Sequence, residues 1–374
     1  INMAIFLGNQ NIKSESSTYE YLKSLENENL NEIQARLTLA RFLKSNLRWL
    51  YEHITRTRMY PIQELVLKSM FLRDRGIIVA HRGWAKSWIL SVCSWLVPLL
   101  SPGAKGCLIS ANFRGARKIL ADTEKMIHAS SSPLLEQCFE NRLRRNNDIY
   151  ELDGPNNSKM YALPLNAEGL RGHRANWLWI DEGLNVSKEI QENVLQPFLA
   201  VKQNVAEEME IRAAEDELIE KGVITEKDRI SLQSNKLFIL SSASFRFQYL
   251  YEVWQSYLKN IVEPKPSKPG DKKVSYFAMR YSYKVLEELP HHAFLDMSAV
   301  NQAKETVGEN SDSFQREWMA LFPDISDGYF NIKTMHECTV RFEEEPTIQL
   351  KGDRDCKFLI TIDPSYSSSK GSDH

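Results

Sequence analysis

Apolar residues recur first at helical spacing and then, further along the chain, in short strand-like runs. Between residues 16 and 58 they are spaced as on one face of a helix among charged residues, which predicts amphipathic helices. Short β-type runs then alternate with longer helical stretches; the runs are 77–80, 106–110, 148–152, 159–163, 177–181 and 237–242. This alternation predicts a parallel sheet with helices on both faces.

Three later segments break this alternation. Residues 203–234 are strongly charged with little apolar periodicity, which predicts a solvated helix or hairpin projecting from the domain. Residues 263–273, EPKPSKPGDKK, predict a surface loop, followed by a strand over 275–283. A strand-like run at 357–363 predicts the start of a further domain. We therefore expect a helical region at 1–58, an α/β core at 59–260, a connecting subdomain at 261–350 and the start of another domain at 351–374.

Composition narrows the class of protein. The chain has 374 residues, 43% hydrophobic and 26% charged, with a formal net charge of -2, which excludes a disordered or fibrous chain and a wholly basic nucleic-acid coat. The longest apolar run, 88–100, is shorter than the roughly 20 residues of a membrane span, so we expect no membrane partner. The five cysteines are scattered and favour a reducing, intracellular compartment.

Because the first residue is Ile1, we expect a longer parent chain or an added tail, with Met3 as the candidate natural start.

Residues 80–87, AHRGWAKS, lie between a predicted strand and the apolar helix predicted at 88–100. A strand, a tight loop and a helix N-terminus form the arrangement in which backbone N–H groups hold phosphates. Lys86 would reach the β and γ phosphates, and the Ser87 hydroxyl would bind Mg²⁺. Ala80 and Ala85 stand where the common motif has glycine, so the loop either avoids positive φ there or bears strain. The plainer alternative is a Lys-Ser pair that opens an ordinary helix.

Residues 177–182, WLWIDE, form a continuous apolar run that ends in two carboxylates. In an ATPase with a loop of this kind, Asp181 would hold Mg²⁺ through its water shell, while Glu182 would orient and deprotonate the attacking water. Adjacent carboxylates at a strand end point to different sides, which permits different roles. Two acids that merely end a buried strand are the alternative, and the preceding Lys86 and Ser87 argue against it.

Two further segments extend the predicted nucleotide site. Gln63 shortly precedes the loop, and an amide can read both N6 and N7 of adenine. Hydroxyls at the end of the strand predicted at 237–242 can sense the γ phosphate. The plainer alternatives are a helix-start glutamine and a simple turn. The predicted ATP-binding residues are Tyr60, Gln63, His81, Arg82, Gly83, Trp84, Ala85, Lys86, Ser87 and Trp88, and the predicted coupling residues are Ser241, Ser242 and Ser244.

Basic residues suggest two further roles. Arg82 lies inside the loop, within reach of the γ phosphate, where a guanidinium can stabilise transition-state charge and contribute on the order of 10³–10⁵ in rate. Local positive patches elsewhere fit contact with a DNA backbone, although a solvated loop explains them equally well. The residues concerned are Arg142, Arg144, Arg145, Arg171 and Arg174.

With these residues identified, the sequence resembles the large terminase subunit of tailed bacteriophages, the motor that packages DNA into the prohead. The segments YPIQ, AHRGWAKS and LSSAS look like that family's adenine-binding segment, its divergent phosphate loop with an early Arg, and its coupling motif. The most specific match contains the acidic strand end. The remaining similar segments are ISANFRGARKIL at 109–120, YALPLNAEGLRGHRANWLWIDEG at 161–183 and FQREWMALFPDISDGYF at 314–330.

The resemblance implies a three-layer P-loop NTPase of the RecA/ASCE type and an ATP- and Mg²⁺-dependent motor on double-stranded DNA. Glu182 would act as the base, with Lys86 and Arg82 stabilising the transferred phosphoryl group. The family further implies a ring on the portal protein, a small terminase subunit as partner, and action in the host cytoplasm, whereas an isolated chain can be monomeric.

The final segment ITIDPSYSSSKGSDH resembles the opening strand of the family's RNase H-like nuclease. The resemblance implies that Asp363, with Asp373 nearby, is a ligand for Mg²⁺ or Mn²⁺ in a full-length parent. A two-metal site needs several convergent carboxylates, and the sequence ends before the others, so we expect this chain not to cut DNA.

Two alternatives stay open from the residues alone. One is a helicase-like or remodelling P-loop ATPase, which would need a second RecA-like domain with its own arginines. The other is a nucleotide-dependent DNA clamp that does not hydrolyse ATP, against which the presence of Glu182 beside Asp181 argues.

Overall fold

The computed structural model describes residues 38–324, apart from 40–41, 102, 111, 130, 140–142, 148, 156, 165–172, 174, 191, 193–194, 196–198, 200–204, 223, 227–234, 265–273 and 288–294. The chain divides into two compact units, 1–326 and 327–374, and every described residue belongs to the first. The predictions for Arg142, Arg171, Arg174, Asp363 and Asp373 therefore lie outside the described residues.

A single sheet organises the described part of the chain. Its spatial order is β3-β4-β5-β2-β6-β7-β1-β8, in which the strands from β5 to β8 run parallel while β4 and β3 continue the sheet antiparallel. The eight strands found there are β1 Arg75–Ala80, β2 Lys105–Ser110, β3 Arg144–Arg145, β4 Tyr150–Asp153, β5 Lys159–Pro164, β6 Trp177–Asp181, β7 Lys236–Ser241 and β8 Tyr276–Tyr281.

Helices connect and cover these strands. Those within the described ranges are α1 Leu47–Thr55, α2 Pro61–Leu72, α3 Lys86–Leu100, α4 Phe113–Ile127, α5 Pro133–Cys138, α6 Lys188–Ile190, α7 Val205–Glu220, α8 Tyr249–Val262, α9 Lys284–Glu287, α10 Met297–Val307 and α11 Asp312–Glu317. A short 3₁₀ turn, Gly183–Asn185, follows β6. No helix in this part of the chain is long and apolar enough to cross a membrane.

The central strands are apolar on both faces because each face packs against helices. Alternate residues of a strand point to opposite faces, so Leu108 and Trp179 join one core with α2, α3 and α4, while Ile109 and Ile180 join a second core with α8. Helix α3 is buried continuously from Ile89 to Leu100, as expected of a helix that is apolar all round. The result is a three-layer α/β/α arrangement.

The position of β7 determines which residues meet at the C-terminal edge of the sheet. It is inserted between β1, which leads into the loop at 81–85, and β6, which ends at Asp181. Because these three strands are parallel, their C-terminal ends meet at one edge of the sheet, which is where open α/β sheets bind ligands. An added strand between the loop strand and the acidic strand is the order of the ASCE division of P-loop NTPases.

The predicted fold class is confirmed, and each of the six predicted runs overlaps a strand. The strand predicted at 275–283 is β8, and the charged stretch contains α7. Strand β3 was not predicted, because it consists of only two exposed arginines and so shows no alternation of apolar and polar residues.

Candidate functional site

The loop between β1 and α3 turns through two residues of positive φ. Gly83 has φ 83°, and Ala85, the residue before α3, has φ 66° and ψ 34°. Of the two possibilities that the sequence left open, Ala85 therefore bears the strain, whereas Ala80 lies in the extended end of β1. A left-handed alanine costs roughly 1–2 kcal/mol.

Lys86 is the first residue of α3, and its side chain folds back over the loop. The ammonium Nζ donates to the carbonyl oxygens of Ala80 and His81 at 2.9 and 3.0 Å. Burial lowers the pKa of Lys86 to about 8, although the negative charges of Asp181, Glu317 and Glu182 raise it. The ammonium therefore remains mostly protonated at pH 7 and lies against the start of the loop.

Ser87 and Asp181 join the loop to the acidic strand end. The Ser87 hydroxyl donates to Asp181 Oδ2 at 3.3 Å, across the gap that β7 spans in the sheet. Asp181 is 6% exposed, and burial first, then the neighbouring Glu182 charge, raises the pKa of its carboxyl to about 6. A buried carboxylate with this tendency to protonate is suited to a cation that keeps it ionised.

Glu182 follows in an unusual backbone conformation. It has φ 55° and ψ 46°, which is left-handed and uncommon for a residue with a side chain, and it is exposed. The turn directs its carboxylate away from the direction it would take in a continuing strand. Strained residues of this kind cluster at functional sites. The structure thus brings Lys86, Ser87, Asp181 and Glu182 to one edge of the sheet.

The predicted coupling serines lie at the end of β7, next to this group. Ser241 is buried, and its Oγ accepts a hydrogen bond from the Leu184 backbone N–H at 3.0 Å. Since Leu184 belongs to the turn directly after Glu182, Ser241 connects β7 to that turn. Ser244 is also buried but donates locally to the Phe245 carbonyl at 3.1 Å, and Ser242 is half-buried.

The predicted adenine segment lies at the start of α2. Pro61 occupies the first helical position, and Gln63 Oε1 accepts from the Tyr60 backbone N–H at 3.1 Å. This hydrogen bond makes the amide oxygen of Gln63 a helix cap, and the side chain is 5% exposed. Contact with a base stays a prediction.

The two tryptophans of the loop region pack against other aromatic rings. Trp84 is fully buried and stacks on Tyr281 with ring centroids 4.9 Å apart, and Trp88 makes an edge contact with Tyr51 at 5.4 Å. Their rings stabilise the surroundings of the loop, so their backbone groups are the candidates for phosphate contact.

Sequence reasoning did not identify the residues that hold the first half of the loop. The His81 N–H donates to the Tyr281 carbonyl at 3.0 Å, and the Arg82 N–H donates to the Glu317 carbonyl at 2.7 Å. These acceptors are backbone atoms far along the chain from the loop, and such contacts leave no sequence motif. The Arg82 side chain remains exposed.

The basic residues of β3 are paired within the chain. Arg144 contacts Glu151 and Asp153 at 2.9 and 2.8 Å, and Arg145 contacts Glu124. Exposed ion pairs of this type are worth little and exchange readily for other anions. Their contact with DNA stays a prediction.

The strand order and the loop between β1 and α3 are those of the P-loop NTPase fold of the ASCE type. No family model matches the sequence, and no curated protein sequence matches it either. Among solved structures, the chain is similar to the large terminase ATPase domain of Thermus phage P74-26, with a TM-score of 0.48 and 14% identity over 73% of this chain and 97% of that one.

Two longer large terminases are also similar. The HK97 bacteriophage large terminase gives a TM-score of 0.49 and 12% identity, covering 71% of this chain and 51% of that chain. The large terminase of a thermophilic bacteriophage, in complex with ATP-γ-S, gives 0.44 and 10%, covering 70% and 52%. The matched part of the chain spans about half the length of these two proteins. All three belong to the family that the sequence resembles.

Proposed function

We propose that this chain is a Mg²⁺-dependent ATPase whose hydrolysis drives translocation of double-stranded viral DNA. The observation that carries the proposal is the convergence of Lys86, Ser87, Asp181 and Glu182 at the C-terminal edge of the sheet. A lysine, a hydroxyl, a buried carboxylate and an exposed carboxylate are the set that phosphoryl transfer to water needs, because its catalysis consists of positioning and charge stabilisation.

Phosphate binding follows from the groups around the loop. The first-turn N–H groups of α3 have no intrahelical acceptor, and they lie at the positive end of the helix dipole. The Lys86 ammonium is bonded to the carbonyl oxygens of Ala80 and His81, where β1 ends and the loop begins, and the oxygens of a triphosphate replace them. The Arg82 guanidinium, exposed at the same loop, supplies further positive charge to the γ phosphate.

The Ser87 and Asp181 oxygens fit a magnesium ion. They lie 3.3 Å apart, close to the roughly 3 Å between adjacent ligands of an octahedral ion with bonds near 2.1 Å. Both are hard oxygen donors, which Mg²⁺ prefers. When bound, Mg²⁺ neutralises charge on the β and γ phosphate oxygens. Asp181 either ligates it directly or through a water.

Glu182 is the proposed general base. Glu182 is exposed and has a left-handed backbone, whereas Asp181 is buried. We assign the buried acid to the metal and the exposed acid to the attacking water. The hydrogen bond from Leu184 to Ser241 holds the turn that follows Glu182 and connects it to β7. Ser242 and Ser244 complete the proposed coupling strand end.

The action on DNA rests on the family resemblance. It implies the portal protein and a small terminase subunit as partners, assembly as a ring on the prohead, and a place in the host cytoplasm during virus assembly. In a longer parent, Asp363 and Asp373 would contribute to a nuclease that uses Mg²⁺ or Mn²⁺. The proposed contacts with the DNA backbone are Arg142, the β3 arginines Arg144 and Arg145, Arg171 and Arg174.

The test combines nucleotide binding with steady-state hydrolysis, each measured with and without linear duplex DNA. Glu182→Gln is expected to bind Mg²⁺·ATP as the wild type does and to lose turnover by at least about a hundredfold, since it keeps the shape and removes the base. Lys86→Ala is expected to weaken both binding and turnover. Glu189→Gln, an exposed glutamate of α6, is the matched control and should behave as wild type.

Each alternative predicts a different result. Turnover at the parental rate in Glu182→Gln would contradict the assignment of the base. A wild type that binds ATP without hydrolysing it in the presence of DNA would indicate a clamp. DNA-stimulated hydrolysis accompanied by strand separation would indicate a helicase-like enzyme.

A further inference from the structure

Ser110 is the last residue of β2, and its hydroxyl is buried. The residue is 1% exposed, and its Oγ has no hydrogen-bond partner among the residues that the structure describes. Burying a hydroxyl without a partner destabilises a protein, so a group of this kind calls for an explanation.

The position of Ser110 relates it to the acidic strand end. Strands β2 and β6 are parallel neighbours, and Ser110 is the register partner of Asp181. Two residues earlier on each strand, Leu108 and Trp179 point into the core that contains α3. Since side chains alternate along a strand, Ser110 and Asp181 share that face at its C-terminal end. Neighbouring strands lie about 4.8 Å apart, so the hydroxyl and the carboxylate are within reach of each other.

The chain keeps space around this hydroxyl. Gly115, in the first turn of α4, faces it, and a Cβ at that position would lie 2.6 Å from Ser110 Oγ. Glycine in a helix is less favourable than alanine by roughly 1 kcal/mol, so its presence here needs a local reason. The space that the Ser110 hydroxyl occupies provides one.

We propose that Ser110 is a positioning residue for Asp181 that acts when nucleotide binds. The inference rests on the proposed function. In the free chain, Asp181 accepts its side-chain hydrogen bond from Ser87. Once the Ser87 oxygen is engaged by Mg²⁺·ATP, Asp181 loses that donor, and the Ser110 hydroxyl turns and donates to the carboxylate in its place. The Ser110 hydroxyl thus makes its hydrogen bond only when Mg²⁺·ATP is bound.

The experiment compares wild type, Ser110→Ala and a control, Ser94→Ala. Ser94 is also fully buried, but its hydroxyl donates to the Leu90 carbonyl at 2.8 Å inside α3. Thermal unfolding is measured without ligand, with ATP-γ-S in EDTA, and with ATP-γ-S across a Mg²⁺ titration. Calorimetry gives the corresponding affinities.

For Ser110→Ala we expect a ligand-free melting temperature equal to or above that of wild type, because an unpaired hydroxyl is removed. Nucleotide affinity in EDTA should be unchanged. The Mg²⁺ concentration needed for half-maximal stabilisation should rise about fivefold, the value of one ordinary hydrogen bond. Ser94→Ala should show the wild-type Mg²⁺ dependence.

The outcomes separate this inference from the proposed function. If wild type gains stability from Mg²⁺·ATP-γ-S and Ser110→Ala has the same Mg²⁺ dependence, the role of Ser110 is overturned while the nucleotide site stands. If Ser110→Ala loses stability without ligand and nothing more, its hydroxyl is structural and the inference is equally overturned. If wild type shows no response to nucleotide, both proposals fail.

Discussion

Replacing Ala85 with glycine is expected to stabilise the free chain. Ala85 has φ 66° and ψ 34°, a conformation that costs an alanine roughly 1–2 kcal/mol and a glycine nothing sterically. Glycine loses more backbone entropy on folding, by about 0.4–1 kcal/mol. The difference is a net gain of about 0.5–1 kcal/mol in the free energy of unfolding for Ala85→Gly.

Urea unfolding in the absence of nucleotide measures this change directly. The matched control is Ala121→Gly, which makes the same substitution in the middle of α4. There the backbone is helical, and glycine is expected to cost about 1 kcal/mol. The two variants should therefore move the unfolding midpoint in opposite directions, with unchanged denaturant slope.

Affinity for Mg²⁺·ATP provides a second readout for Ala85→Gly. The common phosphate loop has glycine at this position, and the substitution leaves the direction of the neighbouring N–H groups intact. Affinity should therefore stay within about twofold of wild type. A destabilisation similar to that of Ala121→Gly would refute the reasoning, since it would mean that residue 85 does not adopt the left-handed conformation in solution.

Two further predictions concern the acidic strand end. Burial raises the pKa of Asp181 from 3.8 to about 6, so the folded state favours the protonated carboxyl. The stability that this preference contributes is fully present below the unfolded pKa and is lost as pH rises through the folded pKa. In metal-free buffer, Asp181→Asn should match wild type near pH 4 and exceed its free energy of unfolding by up to about 3 kcal/mol near pH 8; a difference independent of pH would contradict this. Ser241→Ala removes the acceptor of the Leu184 N–H, so turnover should fall about tenfold at unchanged Mg²⁺·ATP affinity, as single-turnover kinetics and calorimetry can measure. Equal turnover would show that the turn after Glu182 does not depend on Ser241.

The sheet could be predicted because parallel strands buried on both faces are continuous apolar runs. Strand β6, WLWID, is buried at every position and is unmistakable in the sequence. The loop could be predicted because Lys86 and Ser87 stand in a local context of strand, turn and helix. Both signals are contained within a few neighbouring residues, which is where sequence patterns are most informative.

The remaining contacts of the site could not be predicted, because they depend on which distant residues the fold brings together. The carbonyl oxygens of Tyr281 and Glu317 hold the loop, and a carbonyl has no sequence signature. Ser110 is a single serine whose relation to Asp181 depends on strand order and register.

The loop is divided into two halves with different hydrogen-bonding states. In the first half, the N–H groups of His81 and Arg82 are paired with carbonyls at the ends of β8 and α11. In the second half, Lys86 and Ser87 open α3, where first-turn N–H groups have no intrahelical acceptor. The left-handed Ala85 is the residue at which the chain changes from one state to the other. Under the proposed function, the strained Ala85 directly precedes the N–H donors that would face a phosphate.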